Sequence, residues 1–347
     1  NQAASSRKSR MATQLVQFFT QLGQQVSQVG IVVYGVFLIA AGDLTMGQLI
    51  ACVILSGRTL APLGQITQLL GRMNQAIAAY KSLDQILGGQ SKEESRAVQV
   101  EREKLHGDIV LKHVNFTYEG MNDPSLNDVN LSIAAGERIA ILGRIGSGKS
   151  TLLKMVAGLH EPDKGIVMVD NADIRQIRPD DLRRNIGVVL QNPVLFSGSV
   201  RENLMMGNPE ATDADLLEAS KIAGAESFIG ILPGGFDFPL GERGEELSAG
   251  MRQSLAITRA LISKPSVLLL DEPTAAMDAG TEQTIVKTLD EATKGVTCLF
   301  VTHRGSMLQI ADRIIVMEEG RIVADGPRDD ILKRLQNPAE QKPKQDG

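Results

Sequence analysis

Cysteine is scarce. The 347 residues hold two, Cys52 and Cys298, far apart and in no metal-ligand spacing. That excludes a disulfide framework and points to a reducing compartment for the bulk of the chain. An excess of positive charge is missing as well. The formal net charge is −5, the wrong sign for a dedicated nucleic-acid binder, so no nucleic-acid partner is expected. The opening "NQAASSRKSR" lacks an initiator Met, and no clear cleavage site follows the apolar run behind it. It therefore reads as a point inside a longer protein rather than as a signal peptide.

The charge that is present is unevenly spread. Residues 1–105 carry ten Lys/Arg and six Asp/Glu, a balance of +4, which leaves −9 for the remainder. The break suggests two regions with different surroundings. The length suits about two domains.

Residues 26–42, "VSQVGIVVYGVFLIAAG", contain no charge. Residues 46–63, "MGQLIACVILSGRTLAPL", are apolar except for Gln48 and Arg58. Each is near the lower length limit for a helix crossing about 30 Å of hydrocarbon. The link "DLT" has no Lys or Arg, whereas Arg7, Lys8 and Arg10 precede the pair and Arg72 and Lys81 follow it. A hairpin with both outer ends in the cytoplasm satisfies the positive-inside bias. A pair of buried helices in a soluble protein is the competing reading, and Arg58 is the main objection to a span. Helical periodicity continues over 64–87, giving expected helices of about 20–42 and 46–87. Residues 88–105, polar and opened by two glycines, read as a linker.

Residues 137–142, "ERIAIL", suit a buried strand. "GRIGSGKS" follows, and "TLLKMVAGL" then reads as a helix. Strand, glycine loop and helix are the context that G-x-x-x-x-G-K-[ST] requires. Gly143, Gly146 and Gly148 let backbone N–H groups converge on phosphate oxygens without Cβ interference. The helix adds its N-terminal amides. Lys149 is placed to neutralise the β- and γ-phosphates, and the Ser150 hydroxyl to ligate Mg²⁺. The whole loop, Gly143, Arg144, Ile145, Gly146, Ser147, Gly148, Lys149, Ser150 and Thr151, is the expected ATP-binding set.

"VLLLDE" at 267–272 is a second buried-strand pattern, ending in two acids. Alone, such a run is an ordinary strand terminus. Beside the glycine loop, Asp271 is expected to hold Mg²⁺ and Glu272 to polarise the attacking water as general base. "LFVTH" at 299–303 places His303 at the end of a third strand, where ligands of open α/β sheets sit; a lone His there is as readily structural, but its place after a third core strand favours a γ-phosphate sensor. "RIIVMEEGRIVADG" reads as a late β-hairpin, and residues 339–347 as a disordered tail.

"GERGEELSAGMRQSLAITRAL", residues 241–261, resembles the signature region of the ABC transporter ATPases, L-S-G-G-Q followed by a helix. The resemblance runs over residues 106–338. It implies that Tyr118 in "VNFTYEG" stacks on adenine and that Gln191 in "VVLQNPVLFSGSVREN" lies in the loop contacting Mg²⁺ and the membrane domain. It further implies that Ser248, Ala249 and Gly250 meet the γ-phosphate of ATP held by the opposite subunit. Asp278 in "TAAMD" would cross the dimer interface, and His303 would be the switch histidine. Independently of family, Ser248 is a good N-cap for the helix that follows. The sequence departs from the pattern at Ala249, where the family has glycine, and at Met251, where it has glutamine. An added Cβ at a close phosphate approach puts the geometry there in doubt.

The membrane half, "AGDLTMGQLIACVILSGRTLAPLGQI", resembles the last two transmembrane helices of the exporter-type fold. "DIRQIRPDDLRRNIGVVLQNPVLFSGSVREN" and its neighbours look most like type I secretion ATPases of Gram-negative bacteria. The expected fold is thus an α/β P-loop NTPase domain (ABC ATPase), residues 106–338, preceded by an all-α transmembrane segment, residues 1–87. The resemblance implies ATP and Mg²⁺ as cofactors, a second ABC subunit in a homodimer, and membrane lipid around the helices. A membrane-fusion protein, an outer-membrane channel and an exported protein substrate are the implied partners. The location implied is the bacterial inner membrane, multi-pass, with the nucleotide domain cytoplasmic. Export of lipid or small amphiphiles is the alternative, and a soluble non-transport ABC ATPase a remote one.

Overall fold

The computed structural model describes residues 2–94 and 101–336. The chain divides into two compact units, Asn1–Ser95 and Arg96–Gly347. The expected tail, 339–347, lies outside the described residues.

The first unit is a hairpin of two long helices, α1 (Gln2–Ala41) and α2 (Met46–Glu94). Local chemistry sets the turn between them. Gly42 takes a left-handed conformation, its N–H donating to Ile39 O and that of Asp43 to Leu38 O. These are the paired bonds of a Schellman stop. Thr45 then starts α2, with its N–H and hydroxyl both donating to Gln48 Oε1 at 2.8 and 3.0 Å. That is one arm of a capping box. Gly35 leaves room for Leu49, which is buried in the hairpin. Small residues of this kind let apolar helices approach closely.

Both helices are longer than their apolar stretches suggest. α1 begins at Gln2 rather than near 20, and α2 runs to Glu94 rather than stopping at 87. The helix formers Gln, Leu, Lys and Glu carry it through, and two adjacent glycines cost only about 1 kcal/mol each in a helix. Residues 88–94, expected as the start of a linker, are therefore helical. Among the described residues one stretch, Gln21–Ala41, is long and apolar enough to cross a membrane. Its 21 residues rise about 32 Å at ~1.5 Å each. The second expected span, 46–63, is helical throughout but reaches side chains that are not described.

The second unit is built on two sheets. Strands β1 (Ile109–Phe116), β2 (Leu126–Ile133), β4 (Lys164–Val169) and β5 (Ala172–Asp173) form an antiparallel sheet in the order β2-β1-β4-β5. The six-stranded sheet has the order β12-β11-β3-β10-β9-β6. Its members are β3 (Arg138–Gly143), β6 (Ile186–Val189), β9 (Val267–Asp271), β10 (Thr297–Val301), β11 (Arg313–Glu318) and β12 (Arg321–Pro327). β11, β3, β10, β9 and β6 are parallel, and only the hairpin partner β12 runs against them. β9 and β10 are buried at every position, as parallel strands covered on both faces must be. One core fills the space between the sheets and contains Ile139, Ile141, Leu269 and Leu299. A second lies on the opposite face, with Leu268, Leu270, Cys298 and Phe300.

Helices α3 (Lys149–Val156), α4 (Pro179–Asn185), α5 (Val200–Met205), α6 (Asp213–Ile222), α7 (Glu226–Ile229), α8 (Ala249–Ile262), α9 (Ala279–Ala292), α10 (Gly305–Leu308) and α11 (Arg328–Gln336) complete the unit. The short pair β7 (Gly198–Ser199) and β8 (Pro239–Leu240) joins α5, α6 and α8 around a third core.

The expected linker ends earlier than 105. Leu105 is fully buried in the first core, and its N–H donates to Asn185 Oδ1. The Asp170 carboxylate accepts from the backbone N–H groups of His106, Gly107 and Asp108 at 2.6–3.0 Å. Arg102 N–H donates to Asp181. Polarity in this stretch comes from side chains, while its backbone donors are claimed by two buried acids and the buried Asn185 amide.

Candidate active site

β3 ends at Gly143, and the chain turns through Arg144–Gly148 into α3. A Cβ on Gly143 would overlap Met317 O, and one on Gly148 would overlap Ser125 O. Both residues also have positive φ, 152° and 96°, so glycine is required twice over. Gly146, by contrast, faces open space. The loop tip is bare, with Ile145 97% exposed. Tyr118, Ser125 and Gly146–Thr151 line a cavity of about 230 Å³.

Lys149 is buried, and its ammonium donates to Gly143 O and Arg144 O, both at 2.8 Å. Two of its three protons are thereby directed back onto the loop. Burial lowers its pKa, and Glu272 and Asp271 oppose that shift. The Tyr118 hydroxyl lies 3.3 Å from Thr151 Oγ1, and its ring packs edge-on against Phe116 and His160.

Parallel pairing brings the other residues to the same edge. Val301 of β10 sits beside Asp271 of β9 on one flank and Ile141 of β3 on the other. The strand ends carrying the glycine loop, the two acids and His303 are therefore level. Burial raises the Asp271 pKa, a hydrogen bond with Ser150 opposes it, and the Glu272 charge adds to it. Glu272 takes a left-handed backbone conformation, φ 50°, and its N–H is held by Val301 O at 2.9 Å. A bulky residue there is strained, and such strain concentrates at working sites. Gln191, beyond the end of β6, donates through Nε2 to Glu272 Oε2 at 3.3 Å. His303 Nε2 stands 3.7 Å from Glu272 Oε1. Glu272 is thus the common neighbour of Gln191 and His303.

Ser248, Ala249, Gly250 and Asp278 do not join this group. Ser248 is the N-cap of α8, its Oγ accepting from Met251 N at 3.2 Å. Ser248 and Ala249 are exposed, and none of the four lines the loop cavity. Met251 turns back against the third core. A Cβ on Gly250 would press on Ala276 O at 3.3 Å, whereas the Cβ that Ala249 adds lies on an exposed residue. Asp278 caps α9, accepting from the N–H groups of Gly280 and Thr281, both at 3.0 Å. The Thr281 hydroxyl bond, first among several, lowers its pKa.

The loop suits a phosphate chain. Its glycines leave room for oxygens, Lys149 supplies charge, and Ser147 Oγ is buried with no hydrogen-bond partner among the described residues. Ser150, Gln191 and Asp271 offer oxygen donors of the kind a hard divalent cation takes. Among the described residues no group of three His, Cys, Asp or Glu gathers around a metal. A cation held by one carboxylate, a hydroxyl and phosphates needs no such group.

Sequence reading missed the packing behind His303. Glu282, in the first turn of α9, is 5% exposed. It pairs with Arg304 and accepts from Ser306 Oγ. An acid one turn after a capping Asp looks like a helix-dipole residue, so only the proximity of "HRGS" to a strand end could have hinted otherwise.

Residues 126–275 match the family model described as ABC transporter. The chain is 39% identical over 330 residues to the "Toxin RTX-I translocation ATP-binding protein" of Actinobacillus pleuropneumoniae, covering 95% of this chain and 46% of that protein. It is 38% identical over 336 residues to the "Leukotoxin translocation ATP-binding protein LktB" of Mannheimia glucosida, covering 96% and 47%. Among solved structures, a bacterial Atm1-family ABC exporter with ATP bound superposes with a TM-score of 0.70 at 28% identity, over 96% of this chain and 58% of that one. The chain spans about half the length of the curated relatives it matches. It carries an ABC transporter domain over residues 126–275, and it is homologous to toxin translocation ATP-binding proteins.

Proposed function

We propose that this chain hydrolyses ATP as part of an ABC exporter and couples that hydrolysis to type I secretion of a protein across the bacterial inner membrane. The observation that carries the reading is the convergence on Glu272. Gln191 and His303 both reach it, at the sheet edge that bears the glycine loop.

In this mechanism the amides of Gly143–Thr151 and the Lys149 ammonium bind and orient the triphosphate. Ser150, Asp271 and Gln191 would hold Mg²⁺, which would supply neutralisation of phosphate charge when bound. Tyr118 packs against adenine. Glu272 accepts the proton of the attacking water, and His303 faces the γ-phosphate from the next strand. Ser248, Ala249, Gly250 and Asp278 act on the nucleotide of a second copy. Their absence from the chain's own cavity supports a head-to-tail pair in which each copy completes the other's site. A membrane-fusion protein and an outer-membrane channel would then complete the route, and the homologous toxin translocation proteins favour protein over lipid cargo.

Glu272→Gln in the intact membrane protein is the test. ATP turnover should fall by about 10²-fold or more, while ATP-driven pairing of the nucleotide domains persists. Unchanged turnover overturns the assignment. Loss of a secreted protein from the medium of cells carrying the same variant, with unchanged membrane lipid, identifies the cargo class.

A further inference from the structure

His303 has little to hold its ring. Its side chain is half exposed, and among the described residues its ion-pair contact is with Glu272 alone at 3.7 Å. The ring's direction must therefore come from the backbone that carries it. That backbone is fastened on both sides. Thr302 is buried, and its Oγ1 accepts from Arg304 N at 3.0 Å. Arg304 Nη2 donates to Ala275 O at 3.0 Å, and Nη1 pairs with Glu282. Ser306 Oγ donates to the other Glu282 oxygen.

Both Glu282 oxygens are thus spent on the two residues that follow His303 by one and three positions. A carboxylate this buried is costly unless paired and hydrogen-bonded, and here both oxygens are bonded. It does not reach back to its own helix cap. Glu282 N donates to Asp278 O in the ordinary helical way, and Asp278 satisfies the first amides itself. Helix formation leaves the Glu282 side chain free for another task.

We propose that Glu282 is a positioning residue for His303, setting the imidazole against Glu272 through Arg304 and Ser306. The proposal rests on the hydrolytic reading above. Glu282 lines no part of the loop cavity, so its effect falls on turnover and not on nucleotide capture. The Ala275 bond extends the same fastening to the loop that ends at Asp278. A displacement of residues 275–278 at the pairing face therefore moves the histidine loop with it.

The test uses the intact membrane protein with Glu282→Ala, Ser306→Ala and His303→Ala, alone and combined. ATPase assays separate kcat from KM, and carbethoxylation of His303 by diethyl pyrocarbonate, followed by mass spectrometry, reads ring accessibility without turnover. Glu282→Ala should lower kcat about tenfold with KM for ATP within twofold, on the scale of ~1.4 kcal/mol per tenfold change. His303 should label faster, Glu282→Asp should recover part of the rate, and Glu282→Ala should cost nothing further in the His303→Ala background. Ser306→Ala leaves Arg304 paired and should give the same changes in smaller measure, which covers the case in which Glu282→Ala fails to fold. A kcat within twofold of wild type, or losses that multiply with those of His303→Ala, overturns the proposal. A wild-type protein that hydrolyses no ATP overturns the hydrolytic reading instead. The positioning claim is then decided by labelling alone, and unchanged His303 labelling in both variants overturns it.

Discussion

Asp271 is placed where a carboxylate is least comfortable. It is 4% exposed on a strand buried on both sides, and burial raises its pKa from 3.8. A carboxyl with a raised folded-state value contributes stability that is complete below its ordinary pKa and lost as pH rises through the folded one. At neutral pH the charged form therefore works against the fold. Asp271→Asn should raise the thermal midpoint of the nucleotide-free protein at pH 7, have no such effect near pH 3–4, and abolish turnover. Calorimetry across pH, paired with an ATPase assay, checks both halves. Gly148 is the opposite case, a residue with no side chain to titrate and no room for one. Gly148→Ala meets Ser125 O and a φ of 96°. A cost of about 1–3 kcal/mol and loss of ATP binding, measured by equilibrium titration, are expected.

Elements here are tied by a few buried acids. β4 and β5 are joined by Asp170 and Asn171, both with positive φ, the signature of a tight hairpin turn. The Asp170 side chain then collects three N–H groups from the segment entering β1. Asp170→Ala leaves those donors unpaired, at about 1–3 kcal/mol for each one kept from water. Asp170→Asn retains an acceptor and tolerates the left-handed turn, so it should cost clearly less. Urea denaturation of the two variants orders them. β10 supplies a quieter check, since burial pushes the Cys298 thiol up to about 12. Alkylating reagents should leave it unmodified until the protein unfolds.

The apolar runs within 137–142, 267–272 and 299–303 announce themselves by composition, because a parallel strand covered on both faces has no polar side to blur the pattern. The glycine loop is legible for the same kind of reason, since steric exclusion leaves glycine alone at 143 and 148. The segment 101–105 was not legible. Its charged side chains look like linker, and the features that order it, Asp170 and Asn185, lie more than sixty residues away. Glu282 was hidden likewise, because its partners follow a strand end some twenty residues on. Helix ends misled in the other direction. Gly88 and Gly89 look like a stop, yet α2 passes through them.

For the whole molecule the informative fact is a separation. The glycine loop and Ser248 belong to one chain but to different surfaces, with Ser248 outside the loop cavity. If each copy completes the other's site, two dead variants should rescue one another. Lys149→Ala and Ser248→Arg, each inactive alone, should regain turnover when co-expressed, because the mixed pair holds one intact combination. Absence of rescue, with mixed pairs confirmed by differential tagging, would count against composite sites.

The same separation bears on economy in the cell. If the proposed pairing holds, a solitary copy would hold its fuel but lack the piece that lets it burn, and futile consumption would be suppressed until two copies meet. Output should then climb more steeply than in proportion to surface density at low expression, and a surplus of unpaired copies would act as a silent reservoir rather than a drain.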